Sequence, residues 1–223
     1  MTVYRVNDIY STIQGEGCQT GVAMVLLRLH GCPVACPFCD TRETWSVDPE
    51  HAVSSIAKAR GANVKYTVTD PLTIARYIAT QHPGPTWIML TGGEPAEQPL
   101  GPLVETLHDF GYKVAIETSG TAAGLLGVPI DWVCVSPKID MPGGRSILPT
   151  VVETADEIKF VVGKPADLLK LDALLASVQL KDGCQICLQP MSQNAKATAL
   201  CMTTVEERGW RLSIQVHKLL RIA

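Results

Sequence analysis

Short apolar, β-branched runs alternate along the chain with stretches whose apolar residues recur every three or four positions. The runs VAMVLLRL (22–29), TWIML (86–90), KVAIET (113–118), WVCVS (132–136), EIKFVV (157–162), QICLQ (185–189) and RLSIQV (211–216) read as strands. Several are too uniformly apolar for a sheet with one wet face, which predicts strands covered on both sides. Between them, Asp70-Pro71 supplies an N-cap and a first-turn proline for a helix through about Gln81. Leu100, Leu103, Val104 and Leu107 make one helical stripe, ended by Gly111. Pro165 opens a helix with Leu168, Leu171, Leu175 and Val178 on one face, and a last helix covers Ala195 to Arg208. Residues 46–68 are less regular and read as an insertion.

Strands alternating with helices predict βαβ units and a parallel sheet. About six units are too few for an eight-fold barrel, so a partial barrel and an open doubly wound sheet both fit. With 223 residues and no repeat, low-complexity tract or long linker, 1–223 is expected to form a single domain. The polar residues cluster where strands end. Leu29 leads into a cysteine loop, TWIML into Thr91-Gly92-Gly93-Glu94-Pro95, KVAIE into Thr118-Ser119-Gly120 and WVCV into Ser136-Pro137-Lys138. EIKFVV leads into Gly163-Lys164, and QICL into Gln189-Pro190-Met191-Ser192. In parallel α/β folds these ends share one face, where ligands bind, so this rim is the expected active site.

Composition narrows the class. Hydrophobic residues are 46% and charged residues 18%, an ordinary globular balance. A net charge of −3 gives no general attraction to nucleic acid or anionic membrane. The first residues lack a basic and apolar leader, and no apolar run approaches the roughly 18 residues of a membrane span, so a cytoplasmic enzyme is expected. Cysteines stand at 18, 32, 36, 39, 134, 184, 187 and 201. In a reducing compartment, clustered cysteines more often bind metal than pair.

Cys32, Cys36 and Cys39 lie in LHGCPVACPFCDT (29–41), spaced C-x3-C-x2-C. A loop with two prolines can converge their thiolates, which a helix would scatter. A zinc site needs a fourth ligand, with Cys184, Cys187 and the histidines as candidates. Cys184 and Cys187 have redox-motif spacing, but they fall in a strand, where residues three apart face opposite ways, and they read as buried or semi-buried thiols. Cys18, Cys134 and Cys201 receive no role. Three thiolates suit a four-iron cluster with one iron left open. The Thr91–Pro95 segment reads either as a glycine turn or as a backbone that lets a ligand approach closely.

The cysteine loop, with Phe38 before its last cysteine, closely resembles the cluster-binding loop of radical S-adenosylmethionine (SAM) enzymes. The Gly92-Gly93-Glu94 segment follows a second strand, where such enzymes place a loop whose backbone binds the methionine amino group. Ser11-Thr12-Ile13-Gln14-Gly15-Glu16-Gly17, Arg28 and Gln215-Val216-His217-Lys218 narrow the likeness. From Tyr10 to Ala223 the chain resembles the 7-carboxy-7-deazaguanine synthase family. The resemblance implies an α/β fold, a partial (incomplete) TIM-like radical SAM barrel of about six βα units, with 46–68 a variable insertion. It implies conversion of 6-carboxy-5,6,7,8-tetrahydropterin to 7-carboxy-7-deazaguanine by radical ring contraction with loss of ammonia, in queuosine and deazapurine biosynthesis. A 5′-deoxyadenosyl radical abstracts the hydrogen, and no acid or base residue is assigned. The implied cofactors are a 4Fe-4S cluster, S-adenosyl-L-methionine and Mg2+; the implied partners are the pterin, an electron donor such as flavodoxin or ferredoxin, and a second subunit in a homodimer.

Carried over by motif, Cys32, Cys36 and Cys39 ligate the cluster. Phe38, Cys39, Asp40, Gly93, Ser136, Pro137, Lys138, Gln189, Pro190, Met191 and Ser192 contact adenosylmethionine. Ile13, Gln14, Gly15, Arg28 and Thr91 contact the pterin, with Ala223 a weaker member because some relatives end in proline. Arg28 also has a direct rationale, since its fork of donors matches a carboxylate. Thr41 is assigned to magnesium by the resemblance alone. Glu117, at a strand end, is either a polar contact to substrate or adenosine or a structural group. His30 and His217 read as core or rim residues. A glycyl-radical activase shares the cysteine loop and GGEP but acts on a protein and has no need of Ile13-Gln14-Gly15 with Arg28. A zinc module that scaffolds another protein is the non-enzymatic alternative.

Overall fold

A computed structural model describes residues 2–61 and 63–220. The chain opens with an antiparallel hairpin of β1 (Tyr4–Ile13) and β2 (Ala23–Leu29). β3 (Ala52–Val53), α1 (Ile56–Ala59) and β4 (Tyr66–Thr69) follow the cysteine loop, and β4 pairs antiparallel with β1. Then come α2 (Pro71–Gln81), β5 (Trp87–Gly92), α3 (Gly101–Asp109), β6 (Lys113–Thr118) and β7 (Trp132–Val135). The remainder is α4 (Pro149–Val152), β8 (Glu157–Val162), α5 (Pro165–Ala176), β9 (Gln185–Pro190), α6 (Ala195–Arg208), β10 (Arg211–Leu212) and α7 (Val216–Leu220).

Among the described residues the strands form one 10-stranded sheet in the order β10-β9-β8-β7-β6-β5-β2-β1-β4-β3. From β2 through β10 every neighbouring pair is parallel. The order is linear, so the barrel is incomplete.

Alternation along the parallel strands separates two faces. Val25, Leu27, Ile88, Leu90, Val114, Ile116, Val133, Val135, Ile158, Phe160 and Leu188 join the main core beneath the helices. Each such side chain contributes about 1.5–3 kcal/mol when fully buried. The intervening positions point inside. Met24, Met89 and Ala115 form a separate apolar plug with Val22, Trp87 and Trp132. One step further along, Leu26, Arg28, Thr91, Glu117, Ser136, Lys159, Val161 and Gln189 line a cavity. The polar residues at strand ends therefore share one rim, as expected of a parallel α/β fold.

Four local features depart from the sequence reading. β1 had no apolar signature because Asn7 and Asp8, both buried, hold the turn beyond α1: the Asn7 amide donates to the carbonyls of Asn63 (2.9 Å) and Lys65 (2.7 Å), and Asp8 accepts from the Gly61 N–H (2.9 Å). The 46–68 stretch contains the short β3, α1 and the start of β4. No α-helix joins β6 to β7; Gly124 there packs so closely that a Cβ would sit 2.2 Å from the Ala96 carbonyl. The last predicted strand, 211–216, stops after Leu212, because Ser213 and Val216 turn to hold the β1–β2 loop: the Ser213 hydroxyl accepts from the Gly17 N–H (2.9 Å) and the Val216 N–H donates to the Gly15 carbonyl (2.9 Å).

Candidate active site

The cavity has a volume of about 510 Å3 and gathers residues from the whole rim. Cys32, Cys36 and Cys39 all line it, with Phe38, Asp40 and Thr41. A single turn closes the loop, with the Cys39 N–H on the Cys36 carbonyl at 3.1 Å. Burial pushes the Cys32 thiol up to about 11 and raises Cys36, a bias against free thiolates that a bound cation reverses. Lys138, on the far side, lowers Cys36 by its charge, and the Thr41 N–H donates to Cys39 Sγ at 3.4 Å. Three cysteines brought to one cavity suit a multi-iron cluster, in which each thiolate meets a different iron. The donor set thus fits an iron–sulfur cluster with three protein ligands.

The GGE segment packs against the root of this loop. The Gly93 N–H donates to the Leu29 carbonyl (2.9 Å) and the Glu94 N–H to the Gly31 carbonyl (3.0 Å). A Cβ on Gly93 would sit 2.2 Å from the Gly31 oxygen, so glycine is required by the chain's own backbone. With its N–H committed, Gly93 has its carbonyl to offer a ligand amine. Glu94 is 1% exposed and accepts from the N–H of Ala96 (3.0 Å) and Ser119 (2.6 Å), from the Thr118 hydroxyl (2.7 Å) and from the Ser119 hydroxyl. Burial raises its pKa while these bonds oppose the rise. This carboxyl joins the β5 and β6 loops, a role the sequence reading did not give it.

Arg28 and Thr91 are register partners on β2 and β5, both lining the cavity. The Arg28 guanidinium donates to the Tyr10 hydroxyl at 3.1 Å and, among the described residues, has no carboxylate within salt-bridge distance. It stands ready for an anionic ligand. Opposite it, Lys159 is buried, 4% exposed, and bridges Glu16 (2.6 Å) and Glu117 (2.8 Å). The Gln14 amide donates to Glu117 (3.1 Å) and the Gln215 amide to Glu16 (2.7 Å). Burial alone would raise Glu16, but the Lys159 charge and the bonds from Lys159 and Gln215 hold it at about 2. Burial opposes the Lys159 charge, yet Glu117 and Glu16 raise its pKa well above the usual lysine value. This network seats the β1–β2 loop on β6, β8 and the C-terminal segment, spanning the side where the sheet does not close.

The remaining expected residues fall into groups. Ile13, Gln14, Gly15, Phe38, Cys39, Asp40, Gly93, Ser136, Lys138 and Gln189 line the cavity. Lys138 donates to the Ser136 carbonyl at 3.0 Å and to its hydroxyl, and burial lowers its pKa. Pro137, Met191 and Ser192 are not among the cavity-lining residues, while Pro190 lines a smaller adjoining pocket of about 140 Å3. Thr41 lies at the cavity beside the Cys39 sulfur. Ala223 lies outside the described residues. His30 is a core residue stacked on Tyr66, and His217 lines the rim, where a Cβ on Gly15 would meet its Nδ1 at 2.4 Å. Lys159, Glu16 and Gln215 went unassigned from sequence; the available signal was a lysine inside the apolar strand EIKFVV.

The Radical SAM superfamily model matches residues 26–139. The chain is 41% identical to 7-carboxy-7-deazaguanine synthase of Escherichia coli strain K12, over 99% of both chains. It is 37% identical to the synthase of Buchnera aphidicola subsp. Schizaphis graminum, over 98% of this chain and 99% of that one. The chain belongs to the 7-carboxy-7-deazaguanine synthase family. The crystal structure of QueE from Escherichia coli superimposes with a TM-score of 0.89 at 39% identity, covering 96% of this chain and 95% of that one. Family membership makes the chain a radical SAM enzyme with a four-iron cluster and S-adenosylmethionine as cofactors. It also agrees with the partial barrel found here.

Proposed function

We infer that this protein is a radical SAM lyase that converts 6-carboxy-5,6,7,8-tetrahydropterin to 7-carboxy-7-deazaguanine, with loss of ammonia, for queuosine or related deazapurine synthesis. The observation that carries this reading is the joining, in one cavity, of the three-cysteine loop with the Arg28 guanidinium, which bonds the Tyr10 hydroxyl and, among the described residues, meets no carboxylate. When bound, the cluster and adenosylmethionine supply hydrogen-atom abstraction.

The chain's own residues bind, orient and shield. Cys32, Cys36 and Cys39 hold the cluster; Phe38, Asp40, Gly93, Ser136, Lys138 and Gln189 surround the adenosylmethionine, with Pro137, Pro190, Met191 and Ser192 behind them. Arg28 takes the pterin carboxylate in a bidentate pair, with Thr91 beside it. Ile13, Gln14 and Gly15 border the ring, and Lys159 keeps Gln14 and Glu117 in place by neutralising Glu117 and Glu16. Thr41 offers its hydroxyl to magnesium, a hard cation that takes few protein ligands. The reading extends to a single domain over 1–223, a homodimer, a flavodoxin or ferredoxin donor and a cytoplasmic setting. No helix among the described residues is long and apolar enough to cross a membrane.

The test is anaerobic turnover of reconstituted, reduced protein with adenosylmethionine, magnesium and carboxytetrahydropterin. The deazaguanine product is expected by mass. Cleavage of adenosylmethionine without that product refutes the substrate assignment and favours a different radical SAM reaction.

A further inference from the structure

A second group of thiols lies outside the cavity. The β1–β2 loop carries Cys18 against β9, where its Sγ is 3.5 Å from that of Cys187. Glu157, the first residue of β8, reaches the same point. The two sulfurs and a carboxylate oxygen all lie within 4.8 Å of one another. Glu157 is 2% exposed. Its Oε2 accepts the Cys18 N–H at 3.0 Å, while Oε1 is buried with no hydrogen-bond partner among the described residues. An unsatisfied buried carboxyl oxygen is costly, and the chemistry in the cavity makes no use of it. The site is also tightly enclosed, since a Cβ on Gly17 would meet Oε1 at 2.1 Å.

The two sulfurs share a thiol–thiol hydrogen bond, and their separation also distinguishes two further chemistries. A disulfide needs sulfurs at about 2.05 Å. Two thiolates on one tetrahedral zinc, with bonds of about 2.3 Å, stand about 3.8 Å apart. The 3.5 Å observed is close to the second figure. We propose that Cys18, Cys187 and Glu157 bind a soft divalent cation, zinc, at a site separate from the iron–sulfur loop. Two sulfurs and one carboxylate form a donor set that zinc accepts, with a fourth position left for water. Binding displaces the two thiol protons. The cation would pin the β1–β2 loop to β8 and β9, and with it Gln14, Gly15 and Glu16 at the cavity.

The test uses holoenzyme with its cluster in place, cleared of loosely held metal, incubated anaerobically with zinc chloride and desalted. Elemental analysis is expected to give about one zinc per chain beyond the cluster iron. Zinc-edge X-ray absorption is expected to show two Zn–S distances of about 2.3 Å with lighter ligands completing the shell. Cys187→Ala and Cys18→Ser are each expected to lose the zinc and keep the iron. Cys187→Ala deletes a buried side chain, so Cys18→Ser, at a half-buried position, carries the test if the first variant does not fold; the wild-type spectrum stands independently of both. The proposal is overturned by no retained zinc, by retention unchanged in the variants, by three sulfurs around the zinc, or by a Cys18–Cys187 disulfide in its place.

Discussion

Lys159→Met tests the charge network that closes the barrel's open side. Lys159 lies 2.6 Å from Glu16 and 2.8 Å from Glu117 and is 4% exposed. Methionine keeps the volume and removes the charge, leaving two partly buried carboxylates side by side. Removing one partner of a buried pair costs about 3–5 kcal/mol. At about 2–4 °C per kcal/mol for a chain of this size, Tm falls by roughly 6–20 °C at pH 7. The loss depends on pH in a stated direction. In the variant, Glu16 loses the charge that holds it near 2, and burial and Glu117 push its pKa upward. A carboxyl whose folded pKa lies above its unfolded value makes stability fall as pH rises through that interval. The wild-type pair, formed across the same interval, adds no slope there. The deficit is therefore smaller at pH 5 than at pH 7, as read by anaerobic thermal unfolding of matched samples. Glu16→Gln added to Lys159→Met restores part of the lost Tm. A drop below about 2 °C, or one equal at both pH values, refutes the reasoning.

Arg28→Ala removes a charge-assisted pair worth about 1.5–3 kcal/mol, so KM for the pterin rises about tenfold to a hundredfold. Iron content and substrate-free cleavage of adenosylmethionine stay unchanged. Gly93→Ala forces a Cβ to 2.2 Å from the Gly31 oxygen and displaces the root of the cysteine loop; iron retained after reconstitution falls. In wild-type protein the Glu16 contribution is complete above about pH 4.5, the ordinary value, and drains away as pH falls toward 2, which an acid titration followed by far-UV circular dichroism detects.

The parallel strands and their order of polar ends were legible because the pattern depends on local burial. Val25, Leu27, Ile88 and Leu90 are apolar for the core beneath the helices, and Arg28 and Thr91 are polar for the cavity. The cysteine loop was legible because its ligands are close in sequence. β1 was not, since Asn7 and Asp8 use buried polar contacts to a distant turn. The Lys159 network joins Gln14, Glu16, Glu117 and Gln215 across most of the chain, and no local periodicity encodes such a meeting. Cys187 illustrates both sides: the strand geometry correctly separated it from Cys184, which packs on the outer core, but its partner Cys18 is 169 positions away.

The central claim is that three thiolates hold the cluster and leave one iron for the cofactor. Pulsed electron–nuclear measurement on the reduced cluster with adenosylmethionine labelled at its methionine carboxylate with carbon-13 tests it directly. A hyperfine coupling between label and cluster is expected, and it persists in Arg28→Ala. Absence of coupling, with the cluster held by a fourth protein ligand, contradicts the account.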